Sequence, residues 1–189
     1  MKNIKSVKTI KLLALLLVTS IAFVSCSSDD DDHDDHDHEE ELITTVTYEL
    51  INGTDIVTLV YQDLDGEGGA DGNTTVSGPL TANTVYSATI ELLNETENPA
   101  EDITEEVEAE GDEHEFFYTS SISDVTITKL DEDSDGNPVG IVTTFVTGDA
   151  GSGSLTIELI HEPTKPNDGT SASAGGSTDV DVTFPIEVQ

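Results

Sequence analysis

"LTANTVYSATIEL", residues 80–92, decides the fold. From Tyr86 onward, Ala88, Ile90 and Leu92 alternate with Ser87, Thr89 and Glu91, a period of two that gives a strand one buried face and one wet face. Ahead of that strand, Leu80, Thr84 and Tyr86 stand in an L-x-x-x-T-x-Y spacing.

The same alternation spreads outward in both directions. Val46, Tyr48 and Leu50 are interleaved with Thr47 and Glu49, and Asn52-Gly53 supplies a tight turn into 55–62, where Val57, Leu59 and Tyr61 share a face. Downstream, 125–130 pairs with 141–147 across the turn-rich 131–140. Leu155, Ile157 and Leu159 mark the next strand, and Val180, Val182, Phe184, Ile186 and Val188 mark the last. Pro185 falls on the opposite parity and lacks an N–H, which predicts a sheet edge for that last strand. One stretch breaks the pattern. Asn98 as N-cap, Pro99 at N1, Glu101 at N3, Ile103 and Val107 four apart and Gly111 as a stop predict a short acidic helix near 99–110, followed by a strand over 113–120. Residues 165–177 are rich in Gly, Ser and Ala and read as a mobile loop.

The L-x-x-x-T-x-Y run before an alternating strand resembles the tyrosine corner of fibronectin type III and immunoglobulin-like domains. That resemblance implies a tyrosine hydroxyl bonded back to upstream backbone. With about seven strands at short spacing, the expected fold is all-β: one immunoglobulin/fibronectin-like antiparallel β-sandwich over 42–189. A domain of that length buries a core without disulfides or metal.

The N-terminal end is of another kind. Lys2, Lys5, Lys8 and Lys11 precede an apolar stretch over 12–24, the layout of a secretory leader over 1–25. Phe23, Val24 and Ser25 lead into Cys26, the only cysteine. This "FVSC" resembles the lipobox of bacterial lipoproteins, which implies lipidation of Cys26 and a membrane anchor. Residues 26–41 then carry ten carboxylates, with His33, His36 and His38 among them and no apolar side chain, so they read as a disordered, self-repelling tether. "CSSDDDD" also resembles the acidic export signal of Bacteroidota surface lipoproteins, implying an outer-membrane protein facing the medium.

Loss of the leader leaves Lys129 and Lys165 against 40 carboxylates, a formal charge of −38, with no arginine in the chain. Such a body repels nucleic acid and attracts cations or basic surfaces. Catalytic signatures are absent from the sequence: it has no G-x-S-x-G, no phosphate-binding glycine loop, no arginine clamp and no tryptophan platform for sugars.

Candidate ligand residues fall into three groups. Asp63, Asp65 and Asp71 lie in a glycine-rich loop able to offer oxygens to Ca²⁺. "DEDSDGNPVG", residues 131–140, opens like an EF-hand loop, but position 12 is Val142 and the flanks are strands, so it reads as a hairpin turn. His33, His36 and His38 form a His-rich tract suited to Zn²⁺ or Cu²⁺. His114 shares parity with Phe116 and Tyr118, and His161 with Leu159 and Ile157. If their strands are neighbours, the two rings with Glu113, Glu115 or Glu162 make a metal site at one end of the sandwich; otherwise they are separate hydrogen-bonded histidines.

The whole chain resembles small flavobacterial-type surface lipoproteins, a group sometimes labelled type 1 periplasmic binding fold. That label implies alternating strands and helices, a pattern this sequence lacks. The expected function is a non-enzymatic, lipid-anchored surface binding module, stabilised by Ca²⁺, for an extracellular protein or glycan. Two alternatives stand beside it: capture of Zn²⁺ or Cu²⁺ through the histidines, and an accessory or matrix role with no small ligand.

Overall fold

The computed structural model describes residues 41–65 and 72–189. The leader, Cys26, the tether through residue 40 with His33, His36 and His38, and Asp71 lie outside the described residues.

Among the described residues, ten strands form two antiparallel sheets that face each other as a sandwich. The larger contains β1 (Thr45–Asn52), β2 (Asp55–Gln62), β3 (Asn73–Val76), β4 (Val85–Asn94), β5 (Glu101–Asp102), β7 (Thr126–Lys129) and β8 (Val142–Val146). Its order is β3-β2-β1-β4-β8-β7, with β5 on β4. The smaller contains β6 (His114–Ser120), β9 (Gly151–His161) and β10 (Ser177–Val188), in the order β10-β9-β6. Both expected hairpins are present, β1 on β2 and β7 on β8. β10 is an edge, as Pro185 predicts.

Two strands went unnoticed in the sequence, β3 and β5, because four and two residues are too few to display an alternation. Where runs are long the period is plain. Every second residue of β4 and β10 is buried, and these faces meet in one apolar core containing Tyr48, Tyr86, Phe116, Phe145 and Phe184. The Tyr86 hydroxyl accepts from the Thr81 N–H at 2.8 Å and donates to Asp55 at 2.6 Å, the bond back to upstream backbone that the corner spacing implies. The adjoining Leu80 exchanges backbone bonds with Glu187 and Gln189, joining the lead-in of β4 to the end of β10.

Helix α1 (Ile103–Ala109) starts later than Asn98 and Pro99 suggest. Glu101 and Asp102 are taken into β5 against Leu93 and Asn94, so Asp102 becomes the N-cap and accepts from the Thr104 N–H at 3.0 Å. Ile103 and Val107, four apart, are the buried stripe as expected. The 165–177 segment also departs from a plain loop. It contains α2 (Ser171–Ala174), and Lys165 pins it by donating to the carbonyls of Gly111 and His114 and to Asp133.

Candidate metal centre

His114 opens β6, His161 closes β9, and the antiparallel ladder makes them direct partners. Both point inward on the parity of Phe116 and Leu159, so their rings stack with centroids 4.8 Å apart and planes 13° from parallel. The chain leaves β9 through Glu162, a non-glycine residue with φ +52°.

β10 brings the first carboxylate. Thr178 pairs with Ile160 and Val180 with Leu159, so Asp179 is one extra residue opposite no partner, a β-bulge. Strict alternation from Val180 would turn Asp179 to solvent. The bulge turns it inward instead, leaving its side chain 1% exposed with Oδ2 3.9 Å from His114 Nε2. The entry to β10 depends on Gly176 at φ +76°, where a Cβ would lie 2.1 Å from the His161 carbonyl oxygen.

The second carboxylate arrives from the segment before β1. Glu41 is 6% exposed at its side chain, with Oε1 3.4 Å from His114 Nε2. One ligand atom from each of Glu41, His114, His161 and Asp179 lies within 4.8 Å of the others. Ligands of a tetrahedral Zn²⁺ at about 2.0–2.1 Å sit roughly 3.3 Å apart, so closure requires movements of the order of 1 Å.

The tautomer of His114 is set from outside the cluster. Its Nδ1 lies 3.1 Å from the Glu110 carbonyl, which only accepts, so in the neutral ring Nδ1 carries the proton and Nε2 presents a lone pair inward. Neither His114 Nε2 nor Glu41 Oε2, both buried, makes a hydrogen bond. A buried polar atom in that state is costly unless a further partner completes it. Two imidazole nitrogens and two carboxylates are a donor set suited to zinc-class ions. A cavity of about 410 Å³, lined by Glu41, Ile43, Tyr61 and Asp179 among others, borders the carboxylate side of the cluster.

The two lysines among the described residues are engaged with other groups. Lys129 pairs with Glu115 at 2.5 Å and lies over the Phe117 ring, while burial, ahead of Glu115's opposing pull, lowers its pKa. Lys165 sits 3.2 Å from the buried carboxylate of Asp133.

The structure therefore brings together the two body histidines and changes their companions. Of the three glutamates expected beside them, Glu113 stands 3.8 Å from His161 Nε2 and is 38% exposed, Glu115 serves Lys129 and Asn167, and Glu162 is outside the group. Glu41 and Asp179 take their place. Sequence reading missed Glu41 because it closes an acidic run, and Asp179 because a bulge leaves no periodic trace. Among the described residues, Asp63 and Asp65 join no such cluster; the Asp65 N–H donates to Asp63 at 3.3 Å. The 131–140 segment is the expected hairpin turn. Asp131 accepts from the N–H groups of Gly140, Ile141 and Val142, and Asp133 from those of Asp135 and Asn137.

No protein-family model, curated protein or solved structure matches the chain.

Proposed function

We propose that the protein is a non-enzymatic surface module, anchored through a lipidated Cys26, that captures a divalent transition metal of the zinc class in its β-sandwich. The observation that carries this reading is the convergence of Glu41, His114, His161 and Asp179 at the end of the small sheet. Imidazole nitrogen favours Zn²⁺ or Cu²⁺ over Ca²⁺ or Mg²⁺, which take oxygen alone. Four donors held in place by a folded scaffold also bind with less loss of chain entropy than donors that must be ordered on binding. The tether histidines then serve as weak auxiliary sites. The binding-module and metal-capture readings thus merge, with the metal as the ligand.

Calorimetric titration with Zn²⁺ tests this. A chain carrying His33, His36 and His38→Ala should retain one saturable site, and adding His114→Ala should weaken it at least a hundredfold. Retention of that site after His114→Ala contradicts the proposal.

A further inference from the structure

Glu41 belongs to two groups at once. Inward, it meets His114, His161 and Asp179; outward, one of its carboxylate oxygens lies within 4.8 Å of those of Glu106 and Glu110. Glu106 is on α1, and Glu110 is the residue that caps its C-terminal end.

This placement works against the helix. Glu106 and Glu110 are like charges at i and i+4, and Glu110 stands at the C-terminal end of the helix, where the backbone dipole favours cations. The last turn of α1 carries no basic residue.

Neighbouring acids alone are common on a surface this acidic. What sets this group apart is Glu41, whose side chain is 94% buried and whose Oε2 makes no hydrogen bond. A carboxylate held dry between a nitrogen-containing cluster and an all-oxygen cluster has the placement of a bridge.

We propose that Glu41 bridges two cation positions: the inner one with His114, His161 and Asp179, and an outer, all-oxygen one with Glu106 and Glu110 that takes a hard cation, Ca²⁺. The inner position rests on the function proposed above. The outer one shares only Glu41 with it. Ca²⁺ accepts six to eight oxygens at about 2.3–2.6 Å, and the exposure of Glu106 and Glu110 leaves room for water to complete that shell. With three protein carboxylates and the rest water, affinity belongs in the range of extracellular calcium modules, Kd of the order of 0.1–1 mM.

The test is calorimetric Ca²⁺ titration of the Zn²⁺-loaded full chain, with His33, His36 and His38 replaced by Ala. It is compared with the same chain carrying Glu106→Gln/Glu110→Gln, and with one carrying Glu41→Gln. Glutamine keeps helix propensity and removes like-charge repulsion, so the double variant should fold. The expected result is one equivalent of Ca²⁺ in the parent, weakened at least tenfold in the double variant, whose Zn²⁺ affinity changes less than threefold; Glu41→Gln weakens both ions at least tenfold. Calcium binding equal in parent and double variant overturns the outer position, and unchanged binding of either ion in Glu41→Gln overturns the bridge. Failure of the inner reading is recognised separately, by a Zn²⁺ response that His114→Ala leaves intact.

Discussion

His114 and Asp179 approach to 3.9 Å, Nε2 to Oδ2, across two strand interfaces, and they do so because β10 carries one residue more than its ladder with β9 can pair. Without the bulge, Asp179 would face solvent and the cluster would lose a carboxylate. Gly176 sets the path into that bulge, with a positive φ and no space for a Cβ against the end of β9.

Gly176→Ala should therefore damage the site from outside it. A left-handed alanine costs about 1–2 kcal/mol, and the clash with the His161 carbonyl adds to it. Denaturant unfolding should show a loss of about 2 kcal/mol or more, and Zn²⁺ titration at least a tenfold weaker site. An unchanged Zn²⁺ affinity would mean that Asp179 is not placed by this turn.

In the core, Tyr48 and Thr143 share a buried hydroxyl–hydroxyl bond of 2.6 Å. Burial, only partly offset by Thr143, pushes the Tyr48 pKa well above its usual value, so the phenol stays neutral at all working pH. Thr143→Val should cost about 1–3 kcal/mol by stranding the phenol, and adding Tyr48→Phe should restore most of the loss. Urea unfolding of the four proteins closes this cycle; strict additivity would show that the bond contributes nothing.

The acid limb of stability should report Asp133. Although burial opposes it, hydrogen bonds from Asn137, Lys165 and Asp135 hold its pKa at about 2, below the ordinary 3.8. A depressed carboxyl contributes stability that is complete above 3.8 and is lost as pH falls through about 2. The unfolding free energy should drop across that interval, and Asp133→Asn should be less stable at pH 6 with a flatter profile below pH 4. Parallel pH profiles for the two proteins would contradict the assignment.

The fold was legible wherever a strand was long enough to display its period. β1, β2, β4, β9 and β10 announce themselves by alternation, and the Leu80–Thr84–Tyr86 spacing anticipates the bond from Tyr86 to the Thr81 N–H. β3 and β5 are too short for any period, and the start of α1 was hidden because pairing with β4 takes Glu101 and Asp102 from the helix. Half of the candidate site was legible for the same reason. His114 and His161 end inward-facing runs, so their parity marks them. Glu41 and Asp179 are placed by an ordered lead-in and a bulge, both of them tertiary outcomes without local signature.

Lys165 carries a prediction of its own. Its ammonium donates to two carbonyls and to Asp133, with both charged side chains at most 5% exposed. Lys165→Met should cost about 3–5 kcal/mol, since it leaves Asp133 buried beside an apolar neighbour. Amide exchange of 165–176 should accelerate in the variant before global unfolding does. Retention of both stability and protection would show that the segment is held by other contacts.

The measurement that bears most directly on the central claim is the thermal melt of the chain with His33, His36 and His38→Ala, with and without Zn²⁺, beside the same chain carrying His114→Ala. A folded-state site at one hundred times its Kd stabilises by about 2.7 kcal/mol, enough to move the midpoint by several degrees. The predicted result is a Zn²⁺-dependent rise in the first protein and none in the second. Equal responses in the two proteins, or no response in the first, would contradict a metal centre built on Glu41, His114, His161 and Asp179.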